Sequence, residues 1–280
     1  MKSILIFLIA LITFIAKAQT QPTMETKQFV KTKLGDIAVF TKTANSENIP
    51  IIFLHGVYFN HLLWENQVSA ISDRTVIAID MPLHGESVNS IPTKWTLADC
   101  ADMLVQILDE MKISKVIAVG HSWGSMTILR AASKHPDRFE SVGFCNMPFE
   151  ASSKKKKRNF KLQHSALIFR NFYMKQTSKV LFGKETLKHN PGITKLLTTP
   201  MSKLTNREIK KVDQFVIIDA EDATTLLSSL KVPAIALKGK DDYVPTPTTL
   251  KTTIVPGAHL SPIESPTDVS EFCKRAINLK

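Results

Sequence analysis

A serine with glycine two residues before it and two after stands at Gly120-His121-Ser122-Trp123-Gly124, between an apolar run and a helical pattern. In that context G-x-S-x-G makes a strained strand-to-helix turn that lifts the Ser122 hydroxyl clear of a sheet; side chains at the flanking glycines would collide with backbone. The amino end of the following helix favours negative charge developing there. A serine hydroxyl is a weak nucleophile at neutral pH, so it needs a base, and the base needs a carboxylate to fix its tautomer. His259, in Val255-Pro256-Gly257-Ala258-His259, is the candidate base. The carboxylate should come from Gly239-Lys240-Asp241-Asp242-Tyr243-Val244-Pro245, because the chain order serine, acid, histidine accompanies this kind of turn. The chemistry expected is acyl transfer.

The elements that must position these groups alternate. Residues 29–43 read as two strands turning at Gly35-Asp36, and Pro50-Ile51-Ile52-Phe53-Leu54, Thr75-Val76-Ile77-Ala78-Ile79 and Lys115-Val116-Ile117-Ala118-Val119 read as buried strands. Residues 141–145, 233–237 and 252–255 continue the series. Helical patterns cover residues 60–72, the stretch after Thr96 (Leu97, Ala101, Leu104, Val105, Leu108), residues 123–134 and the last helix, with Val269, Phe272, Cys273 and Ala276 on one face. This is the pattern of a mostly parallel sheet with helices on both sides, and chemistry belongs at its carboxyl edge.

Four motifs carry a resemblance to the α/β-hydrolase fold family that extends from about residue 29 to the end. Leu54-His55-Gly56-Val57 resembles the family's oxyanion segment; Asp80-Met81-Pro82-Leu83-His84-Gly85-Glu86-Ser87 resembles its D-x-P-G-H-G-x-S turn, with Leu83 where glycine is usual. The elbow at Ser122 is the third, and the Gly239/Asp242 and His259 segments together are the fourth. The resemblance implies an α/β fold with a mostly parallel central sheet flanked by helices and a helical cap insertion. It implies Ser122, His259 and Asp242 as a triad, since the family's acid stands three residues after the glycine; Asp241 and Glu150 are the alternatives. It places the oxyanion hole at the Val57 and Trp123 N–H groups and the substrate pocket beside His55, Gly56 and His121. His55 and His84 also suit a role in bracing their turns, and the Trp123 ring suits either the pocket wall or packing under the cap. Only sixteen residues separate Asp242 from His259, two of them Pro245 and Pro247, so the helix usual there should be very short or missing.

The activity implied is that of a carboxylesterase-type serine hydrolase with no cofactor and no metal, acting on a small ester or acyl substrate. Carbon–carbon bond hydrolases, aminopeptidases and cofactor-free haloperoxidases share the same features. A serine at the elbow argues against dehalogenases and epoxide hydrolases, which use a carboxylate there. From the other class stands a non-catalytic module that binds an anionic surface.

Residues 147–232 break the alternation and read as a basic helical cap set into a core of residues 19–146 and 233–280, with loops near Asn190-Pro191-Gly192 and Pro200. Residues 147–211 hold sixteen Lys or Arg against Glu150, Glu185 and Glu208; this excess is larger than the net charge of +11 of all 280 residues, so the rest is slightly acidic. The run Lys154, Lys155, Lys156, Lys157 and Arg158 suits an anionic surface or an acidic substrate as well as a solvated hinge. Nucleic acid is not expected, for want of interleaved aromatics. Lys2, the apolar run of residues 4–16 and Ala16-Lys17-Ala18 read as a signal peptide of residues 1–18, which would make the protein secreted or periplasmic. Cys100, Cys145 and Cys273 lack paired spacing and should be buried, free thiols.

Overall fold

Runs such as Ile51–Leu54 and Val76–Ile79, apolar at every position, leave no face for water and must be covered on both sides. In the computed structural model, which describes residues 24–87 and 92–279, they form the middle of a sheet. Its strands are β1 (Thr26–Thr32), β2 (Gly35–Lys42), β3 (Ile51–Leu54), β4 (Val76–Ile79), β5 (Val116–His121), β6 (Phe139–Cys145), β7 (Ala234–Gly239) and β8 (Thr252–Val255), in the order β1-β2-β4-β3-β5-β6-β7-β8. The β1/β2 and β2/β4 pairs are antiparallel and all the others parallel. The leader expected at residues 1–18 lies outside the described residues. Among those described, no helix is long and apolar enough to cross a membrane.

Helices α1 (Glu65–Ser69), α2 (Leu97–Glu110) and α3 (Trp123–Lys134) alternate with the first strands. Alternate residues divide the sheet's two faces: Ile52, Leu54, Ile77 and Ala118 pack with α2 and α3, whereas Ile51, Phe53, Val76 and Val119 face the other way. Thr96 starts α2 with a capping box: its side chain accepts from Asp99 N–H and the Asp99 carboxylate accepts from Thr96 N–H. The buried stripe of α2 includes Met103 and Ile107 while Val105 is only partly covered, so the helix is rolled slightly from the expected face.

Two other local expectations shift. Asn60 accepts from Leu62 N–H and winds residues His61–Trp64 as a 3-10 turn before α1, where one helix over 60–72 was expected. The hairpin turns one step early, at Lys33 and Leu34, with Gly35 at φ 98° opening β2.

Between β6 and β7 lie α4 (Lys154–Gln163), α5 (Arg170–Leu181), α6 (Lys184–His189), α7 (Lys195–Lys203), α8 (Asn206–Val212), a π-helical turn at Asp213–Ile218 and α9 (Thr224–Ser228). Pro200, expected in a loop, stands inside α7, where the buried Leu197 and Met201 hold the turn despite the missing N–H. Helices α10 (Ser261–Glu264) and α11 (Pro266–Ile277) end the chain; Val269, Phe272, Cys273 and Ala276 of α11 are buried as the sequence implied. The three cysteines are free and buried. No helix joins β7 to β8.

Candidate active site

The elbow follows from its glycines. A Cβ on Gly120 would stand 2.4 Å from Ser125 N, and one on Gly124 would stand 2.1 Å from Leu54 O. Ser122 itself is held at φ 49° and ψ −110°, a left-handed strain of about 1–3 kcal/mol that only a well-determined surrounding can sustain. It stands at the amino end of α3, where the helix dipole favours negative charge, and its side chain makes no capping bond to the helix.

Ser122 O–H donates to His259 Nε2 at 3.0 Å, and His259 Nδ1–H donates to Asp242 Oδ1 at 3.0 Å. All three residues are buried. Asp242 also accepts from Asn146 Nδ2 at 2.7 Å and from Val244 N at 3.2 Å. Burial pushes its carboxyl up, but the His259 imidazole and these hydrogen bonds outweigh burial and hold it below the usual carboxylate range. Asp241, one residue away, is exposed, and Glu150 lies exposed on the cavity rim; neither bonds to His259.

The loop carrying His259 is laced to the helical segment. His259 N–H donates to Leu181 O at 3.0 Å, and the Glu264 carboxylate accepts from Ala258 N and, across the boundary, from Gly183 N at 2.7 Å.

His55, Gly56 and His121 do not reach the pocket wall. His55 donates from Nδ1 to Gly56 O at 2.7 Å and accepts at Nε2 from Met81 N at 2.8 Å; His84 likewise bridges Pro82 O and Tyr58 N. The two rings thus brace the segment around Val57 from behind, as their turns suggested. Burial holds His55 at about 3 and His84 at about 4, so both stay neutral. His121 donates from Nε2 to His259 O at 2.7 Å, and burial, then the neighbouring His259, lower it to about 3. Gly56 is small because a Cβ there would meet the His121 ring at 2.5 Å. The Trp123 ring is likewise inside, stacked on Trp95 with centroids 5.5 Å apart, so only its backbone can face the site.

Leu83 adopts φ 70°, which explains why glycine suits that position. The Asp80 carboxylate organises the turn around it, accepting from His61 N and Glu86 N. Val57 N–H donates to no acceptor among the described residues, and Trp123, first in α3, has no carbonyl one turn back to bond.

Ser122 and His259 open on a cavity of about 580 Å³. Its walls are mostly apolar, with Met126 and Val57 from the core and Phe160, Phe172, Leu181 and Val216 from the helical segment. Tyr243 stacks on the His259 ring with centroids 4.8 Å apart. Behind the wall Asp213, fully buried in the π-helical turn, accepts from Tyr58 O–H, from His164 Nε2–H at 2.8 Å and from Tyr173 O–H at 3.3 Å. Burial, then the Asp213 carboxylate, push both phenols up. Asn146, Tyr58, Asp213 and Tyr243 had no part in the sequence-based site. Asn146, at φ 51° just past β6, carried the one usable signal, since asparagine tolerates that conformation in a tight turn. Among the described residues no group of three or more His, Cys, Asp or Glu could hold a metal ion.

Comparison with known proteins bears on the fold and the family. An epoxide hydrolase from Caballeronia sordidicola is 32% identical over 102 residues, covering 35% of this chain and 31% of the relative; the chain thus spans about a third of that curated protein's length. An esterase from Thermogutta terrifontis superposes with a TM-score of 0.79 at 20% identity, over 91% of this chain and 98% of the other. The enol-lactonase from Burkholderia xenovorans LB400 superposes with a TM-score of 0.73 at 19% identity, over 87% and 96%. At such identities these structures speak for the fold alone. The sequence profile of the alpha/beta hydrolase fold matches residues 49–204, more than half of the chain and inclusive of the elbow, and with the sheet order and the Ser122 turn it establishes that the chain belongs to the α/β hydrolase fold family.

Proposed function

We propose that the protein is a serine hydrolase that cleaves a carboxylic ester or related acyl compound through an acyl-enzyme. One observation carries the reading: the unbroken hydrogen-bonded line from Ser122 through His259 to Asp242, opening on a largely apolar cavity. Ser122 Oγ attacks the carbonyl carbon while its proton passes to His259 Nε2. Asp242 holds the Nδ1–H and stabilises the imidazolium. The Val57 and Trp123 N–H groups take the oxyanion, each contributing about 3 kcal/mol in such sites. Collapse breaks the carbon–oxygen bond, the imidazolium proton leaves on the alcohol, and a water molecule, deprotonated by His259, repeats the sequence on the acyl-enzyme to release the acid.

The segment of residues 147–232 acts as the cap in this reading, supplying the outer wall of the cavity and excluding water. The names of the solved structures, an esterase and a lactonase, favour ester or lactone over amide. With residues 1–18 read as an export leader, the enzyme acts outside the cytoplasm, and the mass of the mature secreted chain tests that part.

Ser122→Ala is expected to lower kcat on p-nitrophenyl acetate by at least about 10⁴-fold. A fluorophosphonate should modify wild type at Ser122 and leave the variant untouched. Retention of most activity in the variant refutes the mechanism; absence of both labelling and hydrolysis in wild type supports the non-catalytic binder instead.

A further inference from the structure

Residues 151–184 contain ten Lys or Arg and no acidic residue. The same stretch holds five of the ten exposed large apolar side chains among the described residues: Leu162, Ile168, Phe169, Phe172 and Val180 are 56–79% exposed. Exposed apolar side chains concentrated in one basic stretch point to a contact site. Helix α5 buries Tyr173, Met174, Ser178 and Leu181 and turns Phe172, Gln176 and Val180 the other way at intervals of four, with Phe169 one turn ahead.

This stripe reaches the entrance of the active-site cavity, because Phe172, Gln176 and Val180 also line it. Tyr243 shares that lining, half-exposed and stacked on His259, with Lys156 Nζ 5.2 Å above its ring. Lysines, an aromatic ring and aliphatic side chains around one opening match the layers of a membrane surface. Ammonium groups remain among phosphates, rings settle at the headgroups and aliphatic chains enter the acyl region.

We propose that this face docks on an anionic lipid bilayer and that the cavity draws its ester from that bilayer; the second half rests on the serine hydrolase reading above. Charge complementarity selects the occupant. A second copy of the chain meeting this face through its own would bring two uncompensated basic stretches together. A nucleic acid would pair with the cations but leave Leu162, Ile168 and Val180 nothing to bury against. Glu150, on the cavity rim, and Glu185, just past the stretch, are too few to cancel the field.

The test is co-sedimentation of the full-length protein with phosphatidylcholine vesicles and with vesicles in which roughly a third of the lipid is phosphatidylglycerol, at low and high salt. Partition onto the anionic vesicles is expected to exceed that onto the neutral ones by about tenfold or more and to weaken in high salt. Ile168→Ser with Phe169→Ser, and separately Lys175→Glu with Lys179→Glu, should each cut it by about tenfold. None of these four lines the cavity, so hydrolysis of p-nitrophenyl acetate should stay at the wild-type rate while hydrolysis of a long-chain ester held in the anionic vesicles falls with binding. Thermal melts confirm that each pair folds. Equal partition onto both vesicles, no partition onto either (the result an acidic protein partner would give), or unchanged partition of both variants overturns the docking. Vesicle binding with no ester hydrolysis sinks the hydrolase reading and spares the docking; hydrolysis without vesicle binding does the reverse.

Discussion

The sheet edge that carries Ser122 and the helical segment of residues 147–232 obey opposite rules. At the edge the groups that line up are buried and tied: Asp242 has three donors, and His55 and His84 each bridge two backbone groups. Several backbones there, at Ser122, Tyr58, Leu83 and Asn146, sit at positive φ that only tight surroundings sustain. In the segment, α4 and α6 bury no side chain at all, and the ties to the edge include those of Asp213, Leu181 and Gly183. Rigidity is concentrated around Ser122, and the segment is left to surface chemistry. Substitutions at the edge should therefore damage fold and activity together, whereas those in the segment should separate them.

The largest effect of a single substitution on stability tests the edge. In Gly124→Val the new Cβ would meet the Leu54 carbonyl at 2.1 Å, a backbone atom that cannot swing aside. The variant is expected to lose about 3 kcal/mol or more, or to fail to fold, as read by urea denaturation. Folding within about 1 kcal/mol of wild type would show that the elbow is not the rigid part.

The next effect tests the segment's exception. Asp213→Ala leaves the Tyr58, Tyr173 and His164 donors unpaired, two of them in buried residues, and should cost about 2–4 kcal/mol in a urea melt, with Asp213→Asn recovering part of it. Tyr58 adjoins Val57, so kcat on p-nitrophenyl acetate should fall as well. A variant as stable as wild type would mean that this anchor is not what holds the segment down.

The same contrast decides what could be read in the sequence. Strands β3 and β4, helix α11 and the Ser122 elbow were legible because an all-apolar run, a 3.6-residue stripe or a pair of glycines states its environment locally. Tyr58 and Asp213, 155 positions apart, share no local pattern, and their pairing exists only once the segment folds back over the edge. His55 and His121, expected at the pocket wall, stand behind it. A histidine beside glycine in a turn looks the same in sequence whether its ring faces a cavity or a carbonyl. The choice of face was set by backbone groups from distant parts of the chain, Met81 N–H for His55 and His259 O for His121.

Those inward-facing histidines make the edge sensitive to acid. His55, His84 and His121 ordinarily titrate near 6.5 but are held near 3, 4 and 3 in the fold, chiefly by burial. As pH falls below about 6.5 the unfolded chain takes up protons that the native one refuses, so native stability declines by about 1.4 kcal/mol per pH unit for each histidine until the folded groups titrate. Asp242, its carboxyl held low, adds loss of the same sign below the ordinary aspartate range. Urea midpoints measured from pH 7.5 to about 4.5 should drop steeply. A flat profile would mean that the edge opens and its rings take up protons without cost.

The smallest effect has the opposite sign and belongs to the segment. Lys154 opens α4, where the helix dipole is positive and acidic side chains are favoured, yet the first turn carries no acid and Lys154 is followed by three lysines and Arg158. The spacing from Lys154 to Arg158 also sets like charges one turn apart. Lys154→Glu removes both penalties and should raise stability by about 0.5–1 kcal/mol in a thermal melt, with p-nitrophenyl acetate hydrolysis unchanged, because Lys154 lines no part of the cavity. The same substitution should weaken partition onto anionic vesicles. A gain in stability joined to a loss of binding would mark these lysines as retained against the interest of the fold. If the melt instead fell by a similar amount, Lys154 would hold a structural contact, and the line drawn between edge and segment would have to move.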